Sequence, residues 1–420
     1  MNGATNAVTS PSLPGSPAPA PSSSPSSPAP VPPPAPTPAS ERARVKLAWR
    51  QMPVLTALRR RFRPEKPLRD VRIAAALHIS AESAHLLVSL KDAGAQLLLF
   101  PSDPRTVDPG AVAELERLRA VRVLPGEPGA LPEELDRFRP QLLIDNSTLL
   151  GVCRRSPRAA GELAGATVHS RSGLRTVREL LAEEPDRPPV PVIAMADNPL
   201  KSAIETPMGT GQSTAAALIR ATGMQLGGKR VVVIGYGTAG AGIAAYLSAL
   251  RARVTVVDVS AVACLRAVAA GYGIDSLTGA LSYADAVIVA SGTHDVITGP
   301  DLDLLQDGAV LGNIGHYPDA IDVPALRAAA KKVLPVAPGL EEYQLPGKSL
   351  YLLGGGAQFN HVCGDGNAGE MMDLSLSLHA LCTVRLWERR GQLPPGLGEM
   401  PGELTDAVAR AKLRSLGYVA

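Results

Sequence analysis

Gly235, Gly237 and Gly240 stand at G-x-G-x-x-G spacing between the apolar run RVVVI and a stretch with an Ala/Leu face, IAAYLSAL. A strand, a tight turn and a helix in that order make an anion site. The first glycine permits the turn, the second lets backbone approach a pyrophosphate, and the third lets the helix pack closely on the strand. The helix start, at Thr238 and Ala239, offers N–H donors and the positive end of a dipole. A second run, RVTVV, leads into Asp258, 23 residues after Gly235. A carboxylate there accepts hydrogen bonds from ribose hydroxyls and repels a 2′-phosphate, so the unit predicts NAD in preference to NADP. A glycine turn without a ligand would explain the three glycines but not the strand, helix and carboxylate around them.

Such residues need a scaffold, and the chain supplies an alternating one. Apolar runs at 71–78, 95–100, 121–124, 141–145, 190–195, 230–234, 254–258, 286–290, 309–313 and 349–353 read as strands. Between them 81–93, 111–120 and 213–222 carry apolar residues at three- and four-residue spacing, and 371–390 reads as a long helix. The pattern predicts an α/β fold with largely parallel sheets. The first forty of the 420 residues differ, holding 13 of the 39 prolines and nine serines with no charge and no aromatic. Such a stretch cannot bury enough apolar surface to offset its ordering entropy, so 1–42 are expected to be a disordered Pro/Ser/Ala-rich extension. It has neither the basic start and apolar run of a secretory signal nor the arginines of a mitochondrial presequence. The remainder suits two domains of roughly 150–200 residues each.

Composition excludes several function classes. Net charge is +3 from 42 basic and 39 acidic residues with no basic block, which argues against a nucleic-acid partner. No apolar run reaches the roughly 18 residues a membrane span needs. Cys153, Cys264, Cys363 and Cys382 are far apart and form no CxxC pair, so neither a metal site nor a disulfide framework is expected, and a reducing cytoplasm fits. The seven histidines read as scattered.

Beyond the glycine unit, the segment from Ser202 to Gly242, SAIETPMGTGQSTAAALIRATGMQLGGKRVVVIGYGTAGAG, resembles the S-adenosylhomocysteine hydrolases, the NAD-dependent adenosylhomocysteinase family. SGTHDVITG at 291–299, NIGHYPDAID at 313–322, MPVLTALRRRF and LHISAESA are similar to further motifs of that family. The similarity runs from about Ala43 to the closing LTDAVARAKLRSLG. It implies a Rossmann-type NAD domain at 206–350 inserted in an α/β substrate domain at 43–205, to which 351–420 returns. It implies a reaction in which the ribose 3′-hydroxyl is oxidised by bound NAD, the acidified 4′-proton is removed, the 5′-thiol leaves, water adds and the ketone is reduced again. A homo-oligomer, dimer or tetramer, is also implied.

The resemblance assigns roles position by position. His78 matches a histidine that transfers protons at the 5′ end of the substrate, Ser80 a residue lining the adenine site, and Glu82 an acidic residue reading the adenine amino group. Lys201 matches the lysine beside the 3′-hydroxyl, Asp145 is kept, His316 matches a histidine near nicotinamide and ribose, and Asn360 one that bonds the carboxamide. Ser291, Gly292, Asn313, Ile314 and Gly315 belong to the cofactor motifs. Other positions depart. A second aspartate becomes Asn146, a glutamate near the sugar hydroxyls becomes His169, and threonines at the nicotinamide become Ser170, Arg171 and Ser172. An Asp–Asn pair becomes Glu205–Thr206, a histidine of a late glycine-rich loop becomes Asn367, and Asp365 there is new. The family's Lys- and Tyr-containing C-terminal arm has no counterpart. These changes point to an adenosine-type nucleoside or thioether substrate with an altered substituent or outcome, as in specialised nucleoside metabolism. Adenosylhomocysteine hydrolysis itself and a catalytically silent nucleotide-binding regulator are the alternatives. His361 and His379 carry no special claim.

Overall fold

A computed structural model describes residues 37–124, 131–146, 149–183 and 190–419. Most of the extension expected at 1–42 lies outside the described residues. Its last residues do not fit the expectation, because a helix already spans Pro38–Arg50. Ser40, Glu41, Arg42 and Ala43 follow the prolines, and Glu41 in the first turn complements the helix dipole.

From Pro38 onward one compact unit carries two sheets. The first holds β1 (Arg72–Leu77), β2 (Gln96–Pro101), β3 (Arg122–Val123), β4 (Leu142–Asp145), β5 (Gly165–Val168), β6 (Pro191–Ala194) and, from far along the chain, β15 (Gly396–Gly398). Their order is β15-β6-β5-β4-β1-β2-β3, with every pair parallel. The second holds β7 (Arg230–Ile234), β8 (Arg253–Val257), β9 (Gly273–Ile274), β10 (Ala286–Val289), β11 (Val310–Asn313), β12 (Lys332–Ala337), β13 (Leu340–Leu345) and β14 (Lys348–Leu353), in the order β12-β13-β14-β11-β10-β7-β8-β9. Only β13 runs against the other strands, pairing antiparallel with both β12, on the edge, and β14.

Parallel strands need both faces covered, and their residues divide accordingly. Along β1, Ile73, Ala75 and Leu77 enter one buried cluster while Ala74 and Ala76 enter the opposite one. In both sheets the chain builds outward in two directions from one central pair, β1 with β4 and β7 with β10. Connections that diverge from such a pair leave a crevice at the strands' carboxyl ends, where doubly wound folds bind ligands.

Five strands escaped the hydrophobic pattern, β5, β9, β12, β13 and β15. β5 reads GATV, too short and small to signal a strand, and Gly165 lets it pack closely, since a Cβ there would stand 3.0 Å from the Leu386 side chain and 3.1 Å from the Pro191 carbonyl. The hairpin β12–β13 mixes Lys, Pro and Glu into its strands, as an exposed edge does. The long helix expected at 371–390 spans Gly369–Glu388 and packs Leu374, Leu376, Leu378 and Cys382 into the core of the first sheet.

Candidate active site

The nucleotide cradle lies at the carboxyl ends of β7 and β8. Gly235, directly after β7, has φ +96°, and a Cβ on it would lie 2.6 Å from the Ser291 Cα. A Cβ on Gly240 would sit 1.8 Å from the Gly235 carbonyl oxygen, so this helix turn touches the strand end backbone to backbone. Gly237 has nothing within 4 Å of the same position, and so leaves open space at the N-terminus of the helix Thr238–Ala249. At the end of β8, Asp258 accepts the Tyr236 N–H at 2.6 Å and the Ser260 N–H at 2.7 Å, which fixes its carboxylate beside the glycine turn. Ser291 Oγ and Asn360 Oδ1 are buried without hydrogen-bond partners. Gly292, with φ +65°, offers its carbonyl to Arg175 at 3.2 Å.

Asn313 is a brace in this region. Fully buried, its amide donates to the carbonyls of Gly315, Tyr317 and Gly356, and its Oδ1 accepts the Gly315 N–H at 2.8 Å. Ile314 is buried and its carbonyl accepts Gln358 Nε2 at 2.9 Å. Together they set the loop that presents His316.

A second cluster forms where the carboxyl ends of the first sheet meet that loop. After β6, residues Leu200–Thr210 coil as a π-helix that includes Pro207, which has no N–H to donate to a tighter ladder. On it Lys201 Nζ donates to Glu205 Oε1 at 2.5 Å, and Glu205, fully buried, accepts the Ser375 N–H at 3.0 Å with its other oxygen. Lys201 Nζ also lies 3.0 Å from His169 Nε2, directly after β5. His169 Nδ1 is 2.9 Å from His379 Nε2, and His379 Nδ1 is 3.0 Å from Thr167 Oγ1. His78, directly after β1, places Nδ1 2.7 Å from Thr106 Oγ1 and stacks on His361 with centroids 4.7 Å apart. Its Nε2 is buried and has no hydrogen-bond partner. The His316 ring stands 5.8 Å from that of His78, and Asn146 Nδ2 reaches its Nε2 at 3.5 Å. Asn146 Oδ1 is buried and unpaired, while Asp145 lies beneath it and accepts the Leu150 N–H at 2.9 Å.

Five of the seven histidines therefore share one site, which corrects the reading that they are scattered. Burial pushes His78 down to about 3, with His316 adding to it, and takes His361 and His379 to about 3 as well. His169 falls well below its ordinary value, first by burial and then by the Lys201 charge. His316 shifts the same way through enclosure, His361 and Lys201, although its ring remains open to solvent. At neutral pH these rings are uncharged and can each accept and donate one hydrogen bond.

The other expected residues lie around this centre. Ser80 caps the helix Ala81–Asp92 in a reciprocal box with Ser83, and Glu82 in its first turn is buried, which raises its carboxyl above the usual range. Ser170 accepts the Gly173 N–H at 3.0 Å and lies 3.0 Å from Ser172 Oγ, so it opens the helix Arg171–Glu183. Arg171 is exposed and pairs with Asp197. Thr206 is half-buried on the π-helix. Asn367 Oδ1 accepts Ser213 Oγ–H at 3.1 Å, and Ser213 Oγ in turn accepts Asn360 Nδ2. Asp365 is exposed and pairs with Arg44 and Arg220. The structure thus gathers His78, Asn146, His169, Lys201, Glu205 and His316, and leaves Asp365 and Arg171 on the surface. Sequence reasoning missed His361 and His379. A histidine inside a helical apolar stripe carries no signal of a partner 210 residues away.

Residues 207–366 match the family model described as the NAD-binding domain of S-adenosyl-L-homocysteine hydrolase, and 38–100 match the model for S-adenosyl-L-homocysteine hydrolase. The chain is 35% identical over 386 residues to an adenosylhomocysteinase of Sulfurisphaera tokodaii, covering 90% of this chain and 92% of that protein. It is 33% identical over 386 residues to one from a Nostoc species, covering 90% of each. One from Thermotoga maritima is 34% identical over 384 residues, covering 89% and 94%. No helix among the described residues is long and apolar enough to cross a membrane.

Proposed function

This chain belongs to the S-adenosyl-L-homocysteine hydrolase family, and from that premise we propose that it acts at the ribose 3′-hydroxyl of an adenosine-type nucleoside or thioether, with its substrate or net outcome altered at the sugar. NAD is the cofactor. The chain's own geometry fits it: open space at Gly237, a helix N-terminus, a braced Asp258, and the unpaired buried Ser291 Oγ and Asn360 Oδ1. When bound, NAD supplies a hydride acceptor. Asp258 would hold its ribose, the Gly235–Gly240 turn its pyrophosphate, and Asn360 its carboxamide.

The rest of the work falls to side chains. Lys201 takes or returns the 3′-hydroxyl proton, Glu205 holds its ammonium in place, and His169 stands ready as a second proton acceptor. His78, uncharged in its pocket, exchanges a proton at the 5′ end of the sugar. Ser80 and Glu82 receive the adenine, Glu82 with a carboxyl whose raised range suits a neutral partner. On this reading 43–205 form the substrate side and the chain from 206 the cofactor side, which runs past 350 because β14 extends to Leu353 and Phe359 and Cys363 pack into the second sheet's core, so the return to the substrate side begins with the helix at Gly369.

The observation that carries this reading is Lys201, clasped between Glu205 at 2.5 Å and His169 at 3.0 Å where the carboxyl ends of the first sheet meet His316. Two positions on the sugar side, Asn146 and His169, are uncharged where the family resemblance has carboxylates, and that supports an altered substrate or outcome. The test is to incubate purified protein with NAD and either adenosine or S-adenosylhomocysteine, following absorbance at the NADH band and separating products. A nucleoside-dependent rise that Lys201→Ala abolishes supports 3′-oxidation. No change with either compound refutes it. Adenosine and homocysteine as the sole products refute the altered outcome.

A further inference from the structure

We propose that His379, anchored by Thr167, is a positioning residue that fixes the tautomer of His169 so that its Nε2 remains an acceptor for Lys201. Five hydrogen-bonding groups form one line: Glu205 Oε1, Lys201 Nζ at 2.5 Å, His169 at 3.0 Å, His379 at 2.9 Å and Thr167 Oγ1 at 3.0 Å. The polarity of the line follows from its first cation. An ammonium has three donors and no lone pair, so the His169 nitrogen facing it must be bare. A neutral His169 then carries its proton on Nδ1 and donates it to His379 Nε2. His379 in turn carries its proton on Nδ1 and donates to Thr167 Oγ1, whose own hydroxyl is 3.5 Å from the Leu143 carbonyl. The opposite polarity would aim an N–H at the lysine's N–H groups.

His379 and Thr167 are fully buried, so no water competes for these bonds. The line ends at a backbone carbonyl, which cannot carry a proton onward. It is therefore a lock on orientation and not an exit path. Its use follows from proton balance. Removing a hydride from a carbinol leaves the hydroxyl proton to be placed, and Lys201 cannot take it while it is an ammonium. The hydroxyl proton moves to Lys201 as one of the lysine's own protons passes to His169 Nε2 in the same step, so the imidazolium forms only as the hydroxyl proton arrives and not beforehand, when burial and the Lys201 charge disfavour it. His379 Nε2 still faces His169 Nδ1–H and stabilises that imidazolium. Glu205 holds the ammonium from the other side, with Oε1 on Lys201 and Oε2 on the Ser375 N–H.

The consequence for turnover rests on the proposed 3′-oxidation, whereas the tautomer does not, so the two fail separately. Long-range proton–nitrogen correlation spectra of the full-length protein labelled in its histidine rings, with NAD added, should show His169 as the Nδ1–H form at neutral pH. His169→Gln provides the assignment. His379→Leu should move His169 toward the Nε2–H form and lower kcat at least ~10-fold, within the range acid–base groups contribute, with KM changed less than about twofold. His379→Gln, which keeps an acceptor and a donor, should restore most of both. Thr167→Val reports the same lock from its far end if His379→Leu fails to fold. His169 found mainly as Nε2–H in the unaltered protein, or an unchanged tautomer in both His379→Leu and Thr167→Val, overturns the inference. If no nucleoside is turned over, the oxidation reading falls and the spectra still decide the lock.

Discussion

The nucleotide cradle and the lysine–histidine cluster are built from different materials. In the cradle, Gly235, Gly237, Gly240 and Asp258 lie within 24 consecutive residues, and what they arrange is mostly backbone: a positive φ, a 1.8 Å exclusion and a helix end. In the cluster, side chains arrive from positions 78, 146, 169, 201, 205, 316, 361 and 379. A backbone site is specified by what is absent at a few glycines. A side-chain site can change its chemistry through single exchanges while the scaffold stays put, and Asn146 and His169 sit in the part that can vary.

The sharpest way to separate the two is Lys201→Ala. Nucleoside-dependent reduction of NAD should fall by ~10²–10⁴, while NAD affinity measured by calorimetry stays within a few-fold. A matching loss of both would merge the two regions into one unit and break the comparison. Gly240→Ala should do the reverse. Its methyl cannot avoid the Gly235 carbonyl, so we expect a stability loss of ~3 kcal/mol and loss of NAD binding, read by thermal melting and titration.

Acid should also tell the regions apart. His85, stacked on Trp49, and His379 are both nearly fully buried, and both are pushed to about 3 from an unfolded value near 6.5. Between those values the unfolded chain binds more protons. The stability from keeping these rings neutral is thus complete above 6.5 and is lost as pH falls toward 3. At pH 5.5 each should cost about 1 kcal/mol relative to pH 7.5. Both rings pack with the first sheet, so hydrogen exchange should quicken in β1, β4 and β5 before β7, β10 and β11. Equal or reversed order would contradict this. The smallest effect belongs to Gly237→Ala, where space is open: the melting temperature should hold within about a degree while NAD binds up to ~10-fold more weakly, because the methyl stands where the pyrophosphate approaches.

The same contrast explains what the sequence disclosed. The glycine turn, its strands and Asp258 were legible because their physics is local, and Gly237 and Gly240 play the open and the close-packed parts expected of them. Family resemblance picked out His78, Lys201 and His316 one at a time, but it did not reveal that they converge with His361 and His379. Periodicity reports which side of a helix is apolar, and His379 sits inside such a side as a core residue would. Its meaning depends on Thr167 in a strand that hydropathy also overlooked. The helix at Pro38 was not legible because Pro38, Ala39 and Ser40 still match the Pro/Ser stretch in composition, although proline fits the first turn of a helix, where its missing N–H has no partner to lose.

β15 pairs with β6 in parallel register, Gly396 opposite Pro191, so the first sheet is finished by a strand made some two hundred residues after its neighbour. During synthesis the strands β7–β14 can complete their own sheet while β6 still waits with an open edge. The helix Gly369–Glu388 emerges just before β15 and brings both Ser375, which holds Glu205, and His379, which holds His169. Ribosome-bound chains can thus form the nucleotide cradle early, but the lysine's surroundings assemble only when translation is nearly over.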